Sequence, residues 1–105
     1  MLKNSRSHEQ GLIEWLRKSP DNQKEYLKAS LEENGDMPEA IIAAIREIAQ
    51  ARGFQSLAKE AGLSQKSLYK ILAESKGAKP RFETMVQLIR VLGLRFTVEG
   101  IPDHA

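Results

Sequence analysis

The stretch from Phe54 to Leu72, FQSLAKEAGLSQKSLYKIL, admits few folds. It reads as a short helix, a glycine turn and a second helix with separated apolar and polar positions. Leu57, Ala58 and Ala61 fall on the inward side of the first helix. Gly62 stands where the turn needs a positive φ, a conformation that suits a residue lacking Cβ. Ser64 is placed to N-cap the second helix by accepting from the amide of Lys66 or Ser67. Leu68, Ile71 and Leu72 return to the core at helical spacing. Gln65, Lys66, Tyr69 and Lys70 remain on the opposite face. A helix that packs on one side and offers polar groups on the other meets the requirement for major-groove reading by a helix-turn-helix.

The rest of the chain is punctuated in the same way. A helix is predicted from His8 to Lys18, with Leu12, Ile13 and Leu16 on one side. Ser19-Pro20 reads as the N-cap and first position of a second helix. That helix runs to about Asn34, turns Leu27 and Leu31 inward with Tyr26 beside them, and stops at Gly35. Asp36 is expected to cap a third helix from Met37 to Arg52, whose Ile41, Ile42, Ile45, Ile48 and Ala49 form an apolar stripe ended by Gly53. After the two central helices, a basic loop from Ser75 to Pro80 leads to a last helix over 81–92. Phe82, Met85, Val86, Leu88, Ile89 and Leu92 supply its core side, and Gly93 ends it. The segment 95–99 alternates with period two and is β-prone, so a short C-terminal strand is expected, closed by Gly100 and Pro102. The sequence holds no second strand to pair with it. It either packs as a tail on the helices or pairs across a two-fold axis or onto a partner. The expected fold is all-α: a bundle of five to six helices containing a helix-turn-helix, with that strand at the end. Residues 1–36 read as a helical extension, 37–93 as the DNA-binding unit and 94–105 as strand and tail.

Each exposed position of the second central helix has a chemistry to offer. Gln65 can bridge N6 and N7 of adenine, and Lys66 or Lys70 can donate to O6 and N7 of guanine. Tyr69 either touches a thymine methyl or a phosphate, or fills space at the helix edge. Ser67 is small enough to sit against the preceding helix. Gln55 and Ser56 open the first central helix, whose free amides suit an anion. With Ser64 and Lys79 they are candidate phosphate contacts, which fix register without reading sequence. Arg81 either reaches a phosphate or a neighbouring minor groove, or stays in solvent. One reading helix spans few base pairs. The acting form is therefore expected to be a homodimer on a palindromic operator, with half-sites about 34 Å apart.

Charge supports this only by its distribution. The whole chain carries a net +2. Residues 1–52 hold eight Lys/Arg and nine Asp/Glu, while 53–98 hold eight Lys/Arg and three Glu. The second half is thus the basic one and the half suited to a polyanion, although a basic face is also an ordinary solvated one. There is no cysteine, hence no disulfide framework, and the expected compartment is the cytoplasm. No apolar run approaches the roughly 20 residues that span a bilayer, so no membrane partner is expected. His8 and His104 lie near the termini without a carboxylate at useful spacing. Glu32, Glu33, Asp36 and Glu39 cluster at a helix junction, where they complement helix dipoles. No phosphate loop, metal-ligand spacing or nucleophile–base pair is present, so neither an enzyme nor a cofactor is expected.

Residues 37–93 resemble the helix-turn-helix domain of lambdoid phage repressors and Cro-like proteins, through SQKSLYKILAESKGAKPRFETMVQLIRVLG. The resemblance implies base contacts from Gln65, Lys66 and Lys70 and a minor-groove role for Arg81. Phe54 stands where that family often has a polar residue, which puts one phosphate contact in question. A narrower resemblance covers residues 10–99. Tyr26, Leu27, Ala29, Leu31, Glu32 and Glu33, then Ile48 to Gly53, then the Leu-Gly-Leu-Arg-Phe end, resemble the addiction-module antidote family of HigA-like antitoxins. That resemblance implies an antitoxin that neutralises a small RelE/ParE-like toxin and represses the shared operon with it. The alternatives are a stand-alone prophage-type or host repressor without a toxin, and a protein-interaction module without DNA function. Gln65, Lys66 and Lys70 on one exposed face argue against the last. Trp15, with Leu12, Leu16, Tyr26 and Leu27, either braces the bundle or forms a dimer or toxin surface. Phe96 and Val98 are the matching candidates at the C-terminal end.

Overall fold

A computed structural model of the chain describes residues 2–35, 37–73 and 80–102, with side chains from His8 onward. They form six helices: α1 (Leu2–Lys18), α2 (Pro20–Asn34), α3 (Pro38–Arg52), α4 (Phe54–Ala61), α5 (Gln65–Ile71) and α6 (Phe82–Val91). Among the described residues there is no strand. Helix α3 is the centre. Helices α1 and α2 pack on one another and on α3, α4 packs on α3, α5 and α6. Ile42, Ile45, Ile48 and Ala49 of the α3 stripe are buried, as expected, and Ala44 and Ala51 join them. Leu16 of α1 and Leu27 of α2 are completely buried in the same cluster as Ile45, Leu57 and Leu88.

Local signals place most helix ends. Ser19 is extended, and its hydroxyl accepts from the Asn22 amide at 3.1 Å, with Pro20 as the first helical residue. Gly53 serves two helices at once. Its amide donates to Ala49 O at 2.8 Å to close α3, and its carbonyl accepts from the Leu57 amide at 3.0 Å to open α4. The chain changes direction there within one residue, at φ 100°. That conformation is strained for any side chain with a Cβ.

The C-terminal carbonyls of three helices are met by side chains from neighbouring segments. Asn22 Nδ2 donates to Trp15 O at 2.7 Å, and buried Gln23 donates through Nε2 to Leu16 O at 3.0 Å. Both carbonyls lie in the last turn of α1, where the helix supplies no donor. Arg17 Nε donates to Ala51 O at 3.4 Å, near the end of α3. Arg46 Nε donates to Leu72 O at 2.6 Å, just beyond α5. Helices α2 and α3 are further joined by Tyr26, whose hydroxyl donates to Glu47 Oε1 at 2.5 Å. Burial, then the hydrogen bond to Glu47 and the charge of that carboxylate, hold the Tyr26 phenol above its ordinary pKa.

Several expectations are corrected. Helix α1 begins at Leu2 rather than near His8, because nothing in residues 2–7 breaks a helix. The N-cap of α3 is Met37, which has no side-chain cap, and the fixed φ of Pro38 starts the helix. Asp36, expected as the cap, lies outside the described residues. Gly35 ends α2 as expected, directly after Asn34, with a right-handed φ of −61°. Phe82 is 71% exposed rather than core: it shares the stripe of Met85 and Ile89, but it is the first residue of α6, and cover on this helix begins only at Thr84. Phe82 stacks instead on Phe96, with ring centroids 5.7 Å apart.

The C-terminal strand is absent. Residues 94–102 have no regular secondary structure, and Phe96 and Val98 carry β-propensity without a ladder. Propensity is a local preference, but a strand exists only where another one supplies hydrogen bonds. The segment instead packs as a tail. The Leu94 amide donates to Ile89 O at 3.0 Å, and Leu94 to Thr97 line an open cleft with Lys28, Leu31 and Glu32 of α2.

Candidate nucleic-acid interface

The segment that constrained the sequence reading is organised as its local chemistry dictates. Helix α4 stops at Gly62, which has a left-handed φ of 72° and donates its amide to Lys59 O. The Leu63 amide donates to Ala58 O at 2.9 Å, so the turn is closed by two backbone bonds. Ser64 then caps α5, its hydroxyl accepting from the Ser67 amide at 3.0 Å. It also donates to Ser67 Oγ at 2.8 Å. Ser67 is exposed and completes this cap, rather than lying against α4.

Burial divides α5 sharply. Leu68 is 0% and Leu72 1% exposed, with Ile71 between the faces. Gln65, Lys66, Tyr69 and Lys70 are all exposed. Residues 65, 66, 69 and 70 occupy adjacent positions of one helical face by their three- and four-residue spacings. Among the described residues neither Lys66 nor Lys70 has a carboxylate partner. The face therefore offers two cations, an amide and a phenol to whatever approaches it. Arg46, by capping Leu72 O, fixes the far end of α5 to α3.

The flanking candidates are more dispersed. Gln55 and Ser56 are exposed in the first turn of α4, beside amides that no side-chain cap satisfies. Arg81 is the N-cap residue of α6 and reaches Glu83 at 3.7 Å, both side chains being largely in solvent. An exposed pair of this kind contributes little and yields easily to a phosphate. Lys79 lies outside the described residues.

Phe54 carries the geometry that the sequence did not disclose. It is half-buried at the first position of α4 and packs against the core cluster. Its ring lies on that of Tyr69, with centroids 4.4 Å apart and planes 8° from parallel. Tyr69 remains 50% exposed. The two residues are fifteen apart, so only the angle between α4 and α5 brings them together. Two aromatic residues facing each other across a predicted turn were the available signal.

The N-terminal and C-terminal candidates stand apart from this face in the chain. Trp15 is 37% exposed, while its neighbour Leu16 is fully buried. The Tyr26 hydroxyl is engaged by Glu47. Phe96 is 39% and Val98 98% exposed, and Ile101 nearby is 84% exposed. No described helix is long and apolar enough to cross a membrane.

Comparison with known proteins gives this arrangement its context. Residues 11–100 match the family described as "Probable addiction module antidote protein". The chain belongs to this antidote family. The match takes in all six helices from Gly11 onward and the tail to Gly100, so the N-terminal helices and the C-terminal segment are parts of the family pattern. This antidote is also 36% identical over 74 residues to a protein of Haemophilus influenzae (strain Rd) described as uncharacterized, covering 70% of this chain and 72% of that one. No solved structure matches it. Membership makes the chain an antitoxin of a toxin–antitoxin module, whose counterpart is a cognate toxin.

Proposed function

We propose that this antidote is a DNA-binding antitoxin, HigA-like, whose α4–turn–α5 segment is a helix-turn-helix of lambdoid repressor type. Gln65, Lys66 and Lys70 read base edges, with Tyr69 among them. Gln55, Ser56, Lys79 and Arg81 hold phosphates. Ser64, whose hydroxyl proton is given to Ser67, contributes to the backbone contact mainly by setting the start of α5. The protein acts as a homodimer on a palindromic operator upstream of its own gene and represses that operon. It also holds a small RelE/ParE-like toxin, with Trp15 and the exposed tail around Phe96 and Val98 as the contact candidates for toxin or second copy.

The observation that carries the proposal is the division of α5: Leu68 and Leu72 sealed in the core, and Gln65, Lys66, Tyr69 and Lys70 all turned outward. Among the described residues the two lysines have no carboxylate partner, which leaves this face open to a polyanion. Two measurements test the proposal. Lys66→Ala combined with Lys70→Ala should weaken binding to the upstream DNA by at least about tenfold, from the worth of a good base contact. The melting curve should be unchanged, because both side chains are exposed. An unaltered footprint at moderate salt overturns the assignment, and the salt must be fixed because phosphate contacts dominate affinity. For the toxin, co-expression with the small neighbouring reading frame should restore growth and yield a stable complex. Neither rescue nor complex would leave a repressor without a toxin.

A further inference from the structure

The stacked Phe54–Tyr69 pair sits where the proposed reading face meets the core, apart from the backbone bonds that close the turn. Resting on the DNA-binding reading above, we infer that Phe54 is a positioning residue for base recognition: it holds the Tyr69 ring as a fixed apolar wall that receives the C5 methyl of one thymine. Phe54 is suited to this because it is itself held. Its backbone follows Gly53, whose amide and carbonyl are bonded to Ala49 O and the Leu57 amide, and its side chain packs on the core cluster. Tyr69 has no other ring contact among the described residues. Phe54 covers one face of the phenol at 4.4 Å and 8°, and half of Tyr69 stays open to solvent. In this inference the ring face away from Phe54 is the surface presented to DNA, with Gln65 and Lys66 one turn back and Lys70 next to it in the chain.

An aromatic face has no hydrogen bond to give. Of the groups on the major-groove edges, it matches the thymine methyl. An unstacked tyrosine would have to be ordered on binding, a loss of up to about tenfold in affinity for a single flexible side chain. The stack orders the ring beforehand. It also accounts for a phenylalanine at the first position of α4: the position acts on the DNA through Tyr69 instead of contacting a phosphate directly.

The test starts from a duplex selected out of random sequence by the intact protein. Each thymine is then replaced singly by deoxyuridine, which removes only the methyl. The expected result is one position in each half-site where the replacement weakens binding by about three- to tenfold. Phe54→Ala and Phe54→Leu should abolish that discrimination while binding to duplexes lacking the site stays at the wild-type level. Phe54→Trp should restore it, and Tyr69→Phe should retain it, since the contact uses the ring and not the hydroxyl. The leucine variant keeps the apolar bulk and carries the test if the alanine variant is unstable. Persistence of methyl discrimination in both the alanine and leucine variants overturns the inference. So does indifference of the intact protein to deoxyuridine at every position, or a uniform loss on all duplexes, which marks Phe54 as structural only. In these three cases DNA binding itself stands. Selection of no sequence by the intact protein removes the DNA-binding reading and the inference together.

Discussion

Tyr26 shows how a single side chain ties the N-terminal helices to the rest of the molecule. Its hydroxyl donates to Glu47 across the α2–α3 interface, in a half-buried setting that keeps the phenol protonated above its ordinary pKa of 10.0. A raised folded-state pKa means that the stabilisation is fully present below the unfolded value and is lost as pH climbs above it. Tyr26→Phe should therefore lower stability by about 1–2 kcal/mol at neutral pH, the range for a hydrogen bond to a charged acceptor that water partly reaches. The gap between variant and parent should close as pH rises beyond about 10. Urea unfolding across that interval measures both effects, and a pH-independent gap would show that the bond is not responsible. Gln23 is the less comfortable neighbour. Its Nε2 satisfies Leu16 O, but among the described residues its buried Oε1 has no partner.

At the level of elements, the sequence disclosed what is settled within one turn of chain. Gly62, Ser64, Ser19 and Pro20 act through their own backbone angles or an amide three residues away, and each does what its type predicts. The apolar faces of α3 and α5 were legible for the same reason, since helical spacing fixes which side chains share a face. Contacts between elements were not legible. Arg17 on Ala51 O and Arg46 on Leu72 O bridge 34 and 26 residues, and the Phe54–Tyr69 stack depends on an interhelical angle. The tail failed for the opposite reason: period-two alternation is visible locally, but among the described residues there is no partner strand for it. Phe82 likewise matched the apolar pattern of α6, but spacing does not reveal where along a helix the cover ends, and Phe82 lies at the uncovered first turn. Helix α1 offers a direct test of local energetics. Gly11 lies in its interior, and a Cβ built there meets nothing within 4 Å. Gly11→Ala should raise stability by about 0.5–1 kcal/mol through helix propensity and a less disordered unfolded chain, readable as a higher melting temperature.

For the molecule as a whole, the three-part division expected from sequence can be tested energetically. Leu16 and Leu27 are fully buried among residues of α3, α4 and α6. Deleting α1 and α2 forfeits about 1.5–3 kcal/mol for each of these leucines. It also leaves Ala51 O without Arg17 and Glu47 without the Tyr26 hydroxyl. Set against a typical total of about 5–15 kcal/mol, this is a large fraction. A fragment covering 37–93 should then lack a cooperative thermal transition, whereas the full chain shows one. A sharp, reversible melt of the fragment would establish an independent DNA-binding domain.

Gly53 joins α3 to α4 with no intervening residue, and both of its backbone groups are committed to the helices on either side. Such a junction has no slack. Under the proposed function, the reading surface cannot swing to follow a misplaced target. Inserting one base pair between two half-sites rotates one against the other by about 34° of helical phase. A tethered domain tolerates such a change. Two copies of this chain joined through the α1–α3 body, each with a rigid elbow, would be held to operators of one spacing.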